Sequence, residues 1–239
     1  SLISPVAVPY GKALLDGPVI GRNRRTDLSV ACEEGHLLMA LNLCHAEPRN
    51  IPLPIAPEAD IAAIRTLEEL TDEYLQKNGY SLCIVNTGGN HANLNDDYAS
   101  VPAEMKAVAK ALGGKVLRGI SKEELVKIMP ALRRTVGDRA VMRAMHFLSE
   151  NERVEAAKSA LLAGNIEEFF GAIVASGNSS FKFLQNVYTT QNVEEQGLSL
   201  ALCLTEEFLS DRDGACRVHG GGFAGTIQSF IRREDVAAY

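Results

Sequence analysis

Arg217-Val218-His219-Gly220-Gly221-Gly222-Phe223-Ala224-Gly225-Thr226 is the stretch on which the reading of this chain turns. It is entered from Ala215-Cys216 and left through Ile227-Gln228-Ser229-Phe230-Ile231, so it reads as a turn between two strands. Three successive glycines remove every Cβ that would hold an anion away from the backbone. They also permit positive φ and let consecutive N–H groups converge on an oxygen-rich ligand such as phosphate. A glycine-rich hairpin with no ligand is the alternative, because glycine also serves tight turns and close approaches between strands.

Working outward, Leu82-Cys83-Ile84-Val85-Asn86-Thr87 reads as a buried strand that runs into the polar loop Gly88-Gly89-Asn90-His91-Ala92-Asn93-Leu94-Asn95-Asp96-Asp97-Tyr98. Loops at strand ends carry binding groups on a rigid support. A polar small-molecule ligand needs several hydrogen-bonding groups with an apolar surface beside them, and Tyr98 supplies both. The plainer reading makes Asn93, Asn95, Asp96 and Asp97 a solvated turn with Asx bonds. A calcium loop is excluded, since the glycine and terminal glutamate of EF-hand spacing are missing.

Between these stretches, Arg139-Ala140-Val141-Met142-Arg143-Ala144-Met145-His146-Phe147-Leu148 continues into Glu150 and Arg153. Val141, Met145, Leu148 and Val154 share one face at helical spacing. His146 is expected to be a structural histidine that tethers neighbouring backbone rather than a catalytic group.

Taken in order, these motifs resemble the galactokinases of the GHMP small-molecule kinase superfamily, over about residues 79–233. The glycine run resembles the third glycine motif in its bacterial galactokinase form. The 86–98 loop resembles the stretch in which a strand ends in Asn, passes a His and reaches an acidic-Tyr pair. The 139–153 helix resembles an Arg-Ala-x-His helix followed by a spaced Glu and Arg. One departure stands out, Ser176-Gly177 where most galactokinases have Ser-His.

The resemblance implies an α+β fold, with helices packed on an antiparallel sheet as a ferredoxin-like GHMP kinase C-terminal domain. It also implies an incomplete or atypical N-terminal part. Implied substrate-side residues are Tyr98, against the sugar, with Asp97, His91 and Asn86; Gly220, Gly221 and Gly222 would line the nucleotide phosphates. ATP and Mg²⁺ are the implied cofactors, and galactose, phosphorylated at its C1 hydroxyl, the implied substrate.

Two other family elements, a sugar-recognition motif containing Gly-Glu-His and a Gly-Leu-Ser-Ser-Ser phosphate loop, do not occur in the sequence. A short echo of the family's catalytic-Asp stretch, Tyr10-Gly11-Lys12-Ala13-Leu14-Leu15-Asp16-Gly17, offers Asp16 as a speculative base; the alternative is an ordinary Asp-Gly turn. Independent kinase activity is therefore in question. The competing readings are a non-catalytic sensor of galactose or nucleotide and a chain that needs a separate N-terminal partner domain.

Composition narrows the classes further. With 239 residues and 46% apolar content the chain can bury a sizeable core. A net charge of −6 argues against a nucleic-acid footprint, which needs a basic face. No apolar run approaches membrane-helix length and no secretion signal is recognised at the start, so a cytoplasmic location without membrane contact is expected. Cys32, Cys44, Cys83, Cys203 and Cys216 form no CxxC pair; Cys83, Cys203 and Cys216 read as reduced core residues, and no metal site is expected.

The remaining elements follow from local signals. Residues 1–78 are expected to form an atypical N-terminal segment with one amphipathic helix over about 58–77, stopped by Asn78-Gly79, and residues 79–239 the kinase-like domain. A helix is expected to open at Val101-Pro102 and run through Leu112, with Val101, Met105, Val108 and Leu112 on one face. Ser121-Lys122-Glu123-Glu124 is a capping box that starts a helix to about Met129. Asn192-Val193-Glu194-Glu195 is a weaker version, ahead of a stripe of Leu198, Ala201, Leu202, Thr205 and Leu209.

Overall fold

The computed structural model describes residues 75–89 and 93–239. Three strands, β1 (Tyr80–Asn86), β2 (Gly214–His219) and β3 (Thr226–Arg232), form an antiparallel sheet in the order β1-β3-β2. Register runs from Tyr80 opposite Arg232 to Asn86 opposite Thr226 on one side of β3, and from Gly214 opposite Ile231 to His219 opposite Thr226 on the other. The last strand is thus the central one, and Ile227 through Ile231 are all buried. β1 is an edge strand whose residues from Ser81 to Val85 are only half-buried, not the buried strand its apolar run implied. An apolar run cannot by itself distinguish a central strand from an edge strand half-covered by helices.

Helices α1 (Asn95–Ala111), α2 (Lys122–Lys127), α3 (Met129–Val136), α4 (Asp138–Leu162), α5 (Ile166–Ser179) and α6 (Gly197–Phe208) complete the described elements, with a π-helical turn at Ser180–Leu184. The architecture is α+β, helices over a small antiparallel sheet, as expected. Side chains alternate along β3. Phe230 joins Tyr80, Phe169, Phe170, Ile173 and Val154 on the face covered by α4 and α5. Ile227 joins Val218, Leu198, Leu202 and Val187 on the face covered by α6. A purely helical core of Val108, Leu125, Leu132, Val141, Ala144 and Leu148 binds α1 to α4.

The local signals fared unevenly. The capping box at Ser121 is present, with Glu124 N–H donating to Ser121 Oγ at 3.1 Å and Ser121 N–H donating to Glu124 Oε2 at 2.8 Å. A second short helix, α3, follows at once with Pro130 in its first turn. Asn78 and Gly79 end a helical turn, Leu75–Lys77, through bonds to Leu75 O and Gln76 O, with Gly79 at φ 78°. The rest of the expected 58–77 helix, Asp16, His91, Cys32 and Cys44 lie outside the described residues.

α1 begins at Asn95 rather than Val101, so Pro102 lies inside it. Asp96 and Asp97 in the first turn complement the positive end of the helix, and tertiary contacts override the proline signal. α6 begins at Gly197 without a side-chain cap, after the acidic pair expected to start it. Leu198, Leu202 and Thr205 face inward as expected, but Cys203, one position round the helix from Leu202, is exposed and not a core residue. Among the described residues, Cys83, Cys203 and Cys216 are free thiols, and no helix is long and apolar enough to cross a membrane.

Candidate functional site

Two polar regions of the chain draw distant residues together. The first is built on the glycine turn between β2 and β3. Gly220, Gly222 and Gly225 have φ of 75°, 76° and 100°, and Phe223 is left-handed at φ 58°. Glycine carries such angles at no steric cost, whereas a side chain is strained there. At Gly222 a Cβ would also fall 1.8 Å from Asn186 O, so this glycine is obligatory for packing alone.

The turn is held from three directions. Phe223 N–H donates to Asn186 O at 2.5 Å, and Asn186 Nδ2 donates to Gly221 O at 2.9 Å. The Tyr98 hydroxyl donates to Gly222 O at 2.8 Å, while its ring meets Phe223 edge-on with centroids 5.3 Å apart. Thr87, just beyond β1, donates both its N–H and its hydroxyl to Gly225 O, each at 2.9 Å. Leu94, Phe223 and Ala224 form a small apolar cluster beneath, with Tyr98 and Val101 against it.

The expected substrate-side residues stand around this turn in different states. Asn86 is exposed and its Oδ1 accepts the Gly88 N–H at 3.0 Å, a local Asx bond. Asp97 Oδ2 accepts from Thr189 Oγ1 at 2.7 Å and from Gln191 Nε2 at 2.9 Å. The structure therefore brings Tyr98 to Gly222 directly. It ties Asp97 to the segment after the π-helical turn and leaves Asn86 at the rim through its neighbour Thr87. Asn186, Thr189, Gln191 and Thr87 had no assigned role in the sequence reading. The one local signal available was the polar Gln185-Asn186 pair between apolar neighbours.

The second region lies buried between the sheet and helices α4 and α5. Glu150 pairs with Arg153, accepts from Ser176 Oγ at 2.5 Å and lies 4.0 Å from Arg217 Nη1. Arg217 on β2 also reaches Ser180 Oγ at 3.3 Å. His146 Nδ1 lies 2.9 Å from Ser179 Oγ, and the Ser179 backbone also hydrogen-bonds to the ring, the structural tether expected of it.

Burial presses the pKa of His146 down to about 4 from its ordinary 6.5, so the ring is neutral near neutrality. Burial alone would raise the Glu150 pKa, but Arg217, His146, Ser176 and Arg153 outweigh it and hold the carboxyl below its usual range. The cluster is closed to substrate, with His146 and Arg217 both nine-tenths or more buried. Gly177, which stands where the resemblance leads one to expect His, lets α5 approach β2. A Cβ there would meet Arg217 Cβ at 2.9 Å and Cys216 O at 3.3 Å.

A further buried charge, on α4, links the regions. Arg143 on α4 donates to Ser100 Oγ at 2.8 Å and Glu104 Oε2 at 3.0 Å on α1, and to Leu184 O at 3.0 Å, just ahead of Asn186. The Arg-Ala-x-His run thus fixes the scaffold on which the glycine turn rests. A shallow apolar groove lined by Met129, Met142, Met145 and Phe183 shares no residue with the turn. No three His, Cys, Asp or Glu among the described residues gather as a metal site.

No family model matches the chain. It is 30% identical over 167 residues to the galactokinase of Thermotoga neapolitana, covering 67% of this chain and 42% of that protein. To the galactokinase of Glaesserella parasuis it is 28% identical over 160 residues, 67% of this chain and 39% of that one. The crystal structure of Lactococcus lactis galactokinase complexed with galactose matches with a TM-score of 0.53 at 25% identity, over 67% of this chain and 39% of that one. The chain therefore spans about two fifths of the length of the curated relatives it matches. Over about two thirds of its own length, in sequence and in fold, this chain resembles the galactokinases.

Proposed function

We propose that the chain carries the C-terminal portion of a galactokinase-type sugar kinase. In this reading residues 79–239 are the ferredoxin-like GHMP kinase C-terminal domain and residues 1–78 an atypical N-terminal part. The activity served is transfer of the γ-phosphoryl of ATP, with Mg²⁺, to the C1 hydroxyl of galactose. Such transfer rests on in-line positioning and on charge stabilisation around the phosphates, with a carboxylate to orient the hydroxyl. Gly220 and Gly221, at the tip of the turn, would face the nucleotide phosphates. Gly222 is already accounted for by Asn186 and would support them. Tyr98 would offer its ring to the sugar, with Asp97, Asn86 and His91 as the further substrate-side residues that the resemblance implies and Asp16 as the speculative base.

The observation that supports this reading best is the convergence of the two recognisable motifs. Tyr98 and Thr87 bond carbonyls of the glycine turn, although they are separated from it by 124 and 138 residues in sequence. A two-substrate site needs both loops at one place, and these bonds hold the two loops together.

Calorimetric titration with galactose, alone and with a non-hydrolysable ATP analogue plus Mg²⁺, tests the reading when followed by a coupled assay for ADP. Galactose-dependent ADP release supports an active kinase. Binding of either ligand without turnover supports a sensor, and activity only after addition of a galactokinase N-terminal half supports a chain that needs a partner. Absence of binding even with that half present would overturn the kinase reading.

A further inference from the structure

We infer that Asn186 is the positioning residue of the glycine turn, setting the backbone that, on the proposed kinase reading, meets the nucleotide phosphates. Asn186 is 2% exposed and meets the turn with two groups at once. Its carbonyl accepts the Phe223 N–H at 2.5 Å, and its Nδ2 donates to Gly221 O at 2.9 Å. The intervening residue passes so close that a Cβ on Gly222 would stand 1.8 Å from Asn186 O and 2.8 Å from Nδ2. The carboxamide orientation follows from the bonding, since the opposite orientation would set Oδ1 against Gly221 O, acceptor against acceptor.

The post itself is anchored on both sides. Ahead of it, Arg143 donates to Leu184 O at 3.0 Å, and Gln185 is left-handed at φ 58° with its N–H on Ser180 O at 2.8 Å. Behind it, Val187 is buried against Leu198, Val218 and Ile227. Asn186 therefore cannot follow the turn if the turn moves; the turn takes its conformation from Asn186. Neither Gln nor Ser would reproduce the contact, because the donor sits one carbon beyond Cβ-linked reach in the first and one short in the second. Asp keeps the shape but reverses the donor and adds a negative charge beside a turn read as anion-facing.

The test uses the full 239-residue chain as wild type, Asn186→Ala and Asn186→Asp. Amide hydrogen exchange over residues 219–226 and over helix α4 is measured together with the melting temperature and the affinity for the ATP analogue with Mg²⁺. Exchange over 219–226 should quicken about tenfold in Asn186→Ala, the scale of one lost hydrogen bond to the half-buried Gly221 carbonyl, with α4 unchanged. Analogue affinity should fall by about the same factor, and further in Asn186→Asp. Unchanged exchange over 219–226 in both folded variants would overturn the assignment, as would an acceleration spread evenly over the chain. A wild-type chain that binds no analogue even with a galactokinase N-terminal half added would overturn the kinase reading instead, leaving the exchange data to decide on Asn186 by themselves.

Discussion

Two constellations of polar residues lie along strand β2, one at Arg217 within the strand and one at the glycine turn beyond its end, and they differ in how they are satisfied. Around Arg217 the charges are enclosed by α4 and α5, and they are balanced by one another and by the hydroxyls of Ser176, Ser179 and Ser180. Around the glycine turn beyond His219 the bonds run to backbone carbonyls, Gly220, Gly221 and Gly225 are half-buried while Gly222 is buried, and left-handed angles recur. Half-exposed backbone gathers at the turn, and enclosed charge where helices are fastened to a sheet. Conspicuous residues therefore divide into two kinds. His146, Glu150, Arg153 and Arg217 fix architecture, whereas Tyr98 and the turn carry the recognition role in the proposed reading.

The comparison breaks most readily at Glu150. Glu150→Ala leaves Arg217 and Arg153 without their buried counter-charge and should cost about 3–5 kcal/mol by urea denaturation. A loss under about 1 kcal/mol, the range of exposed pairs, would mean that the enclosed region is not fastened by charge.

Acid should act on the same region. Folding holds His146 near 4 against 6.5, so the unfolded chain takes up a proton that the folded chain refuses. Stability from this group is full above pH 6.5 and is lost as pH falls toward 4, by about 3 kcal/mol in all. Glu150, held below its ordinary value, adds a further loss at lower pH. Denaturation midpoints measured between pH 7 and 4 should show this slope, and His146→Gln should flatten it.

On the turn side, Gly222→Ala forces a side chain into a left-handed conformation worth about 1–3 kcal/mol and into the Asn186 carbonyl besides. Its cost, read by denaturation, should be accompanied by loss of nucleotide binding, a pairing that Glu150→Ala should not show at matched stability. Tyr98→Phe is the gentlest probe. It keeps the ring on Phe223, removes the bond to Gly222 O and should cost about 1 kcal/mol. Its galactose affinity then shows how far the ring alone serves the sugar side.

Local features were legible in the sequence where their cause is local. The capping box at Ser121, the Asn78-Gly79 stop, the inward stripe of α6 and the turn between β2 and β3 all rest on spacing and on φ preferences within a few residues. The failures share one cause. Pro102 marked a helix start that tertiary packing moved upstream to Asn95, and β1 looked buried because its apolar run does not record that the strand would lie at the sheet's edge. Cys203 looked buried because its segment is apolar on average, whereas one step around the helix separates it from Leu202.

For the site the division is similar. That three glycines in a row would make a turn, and that its motif order resembles galactokinases, was fixed by the chain of residues itself, since neither depends on where other segments lie. Which glycine is indispensable, what the Tyr98 hydroxyl bonds and why glycine stands at 177 were decided only by tertiary structure. Each depends on a close approach between segments distant in sequence, Asn186 to Gly222, Tyr98 to Gly222 and α5 to Arg217. Backbone angle preferences are carried by each residue, but the distance between two surfaces arises only when the whole core packs.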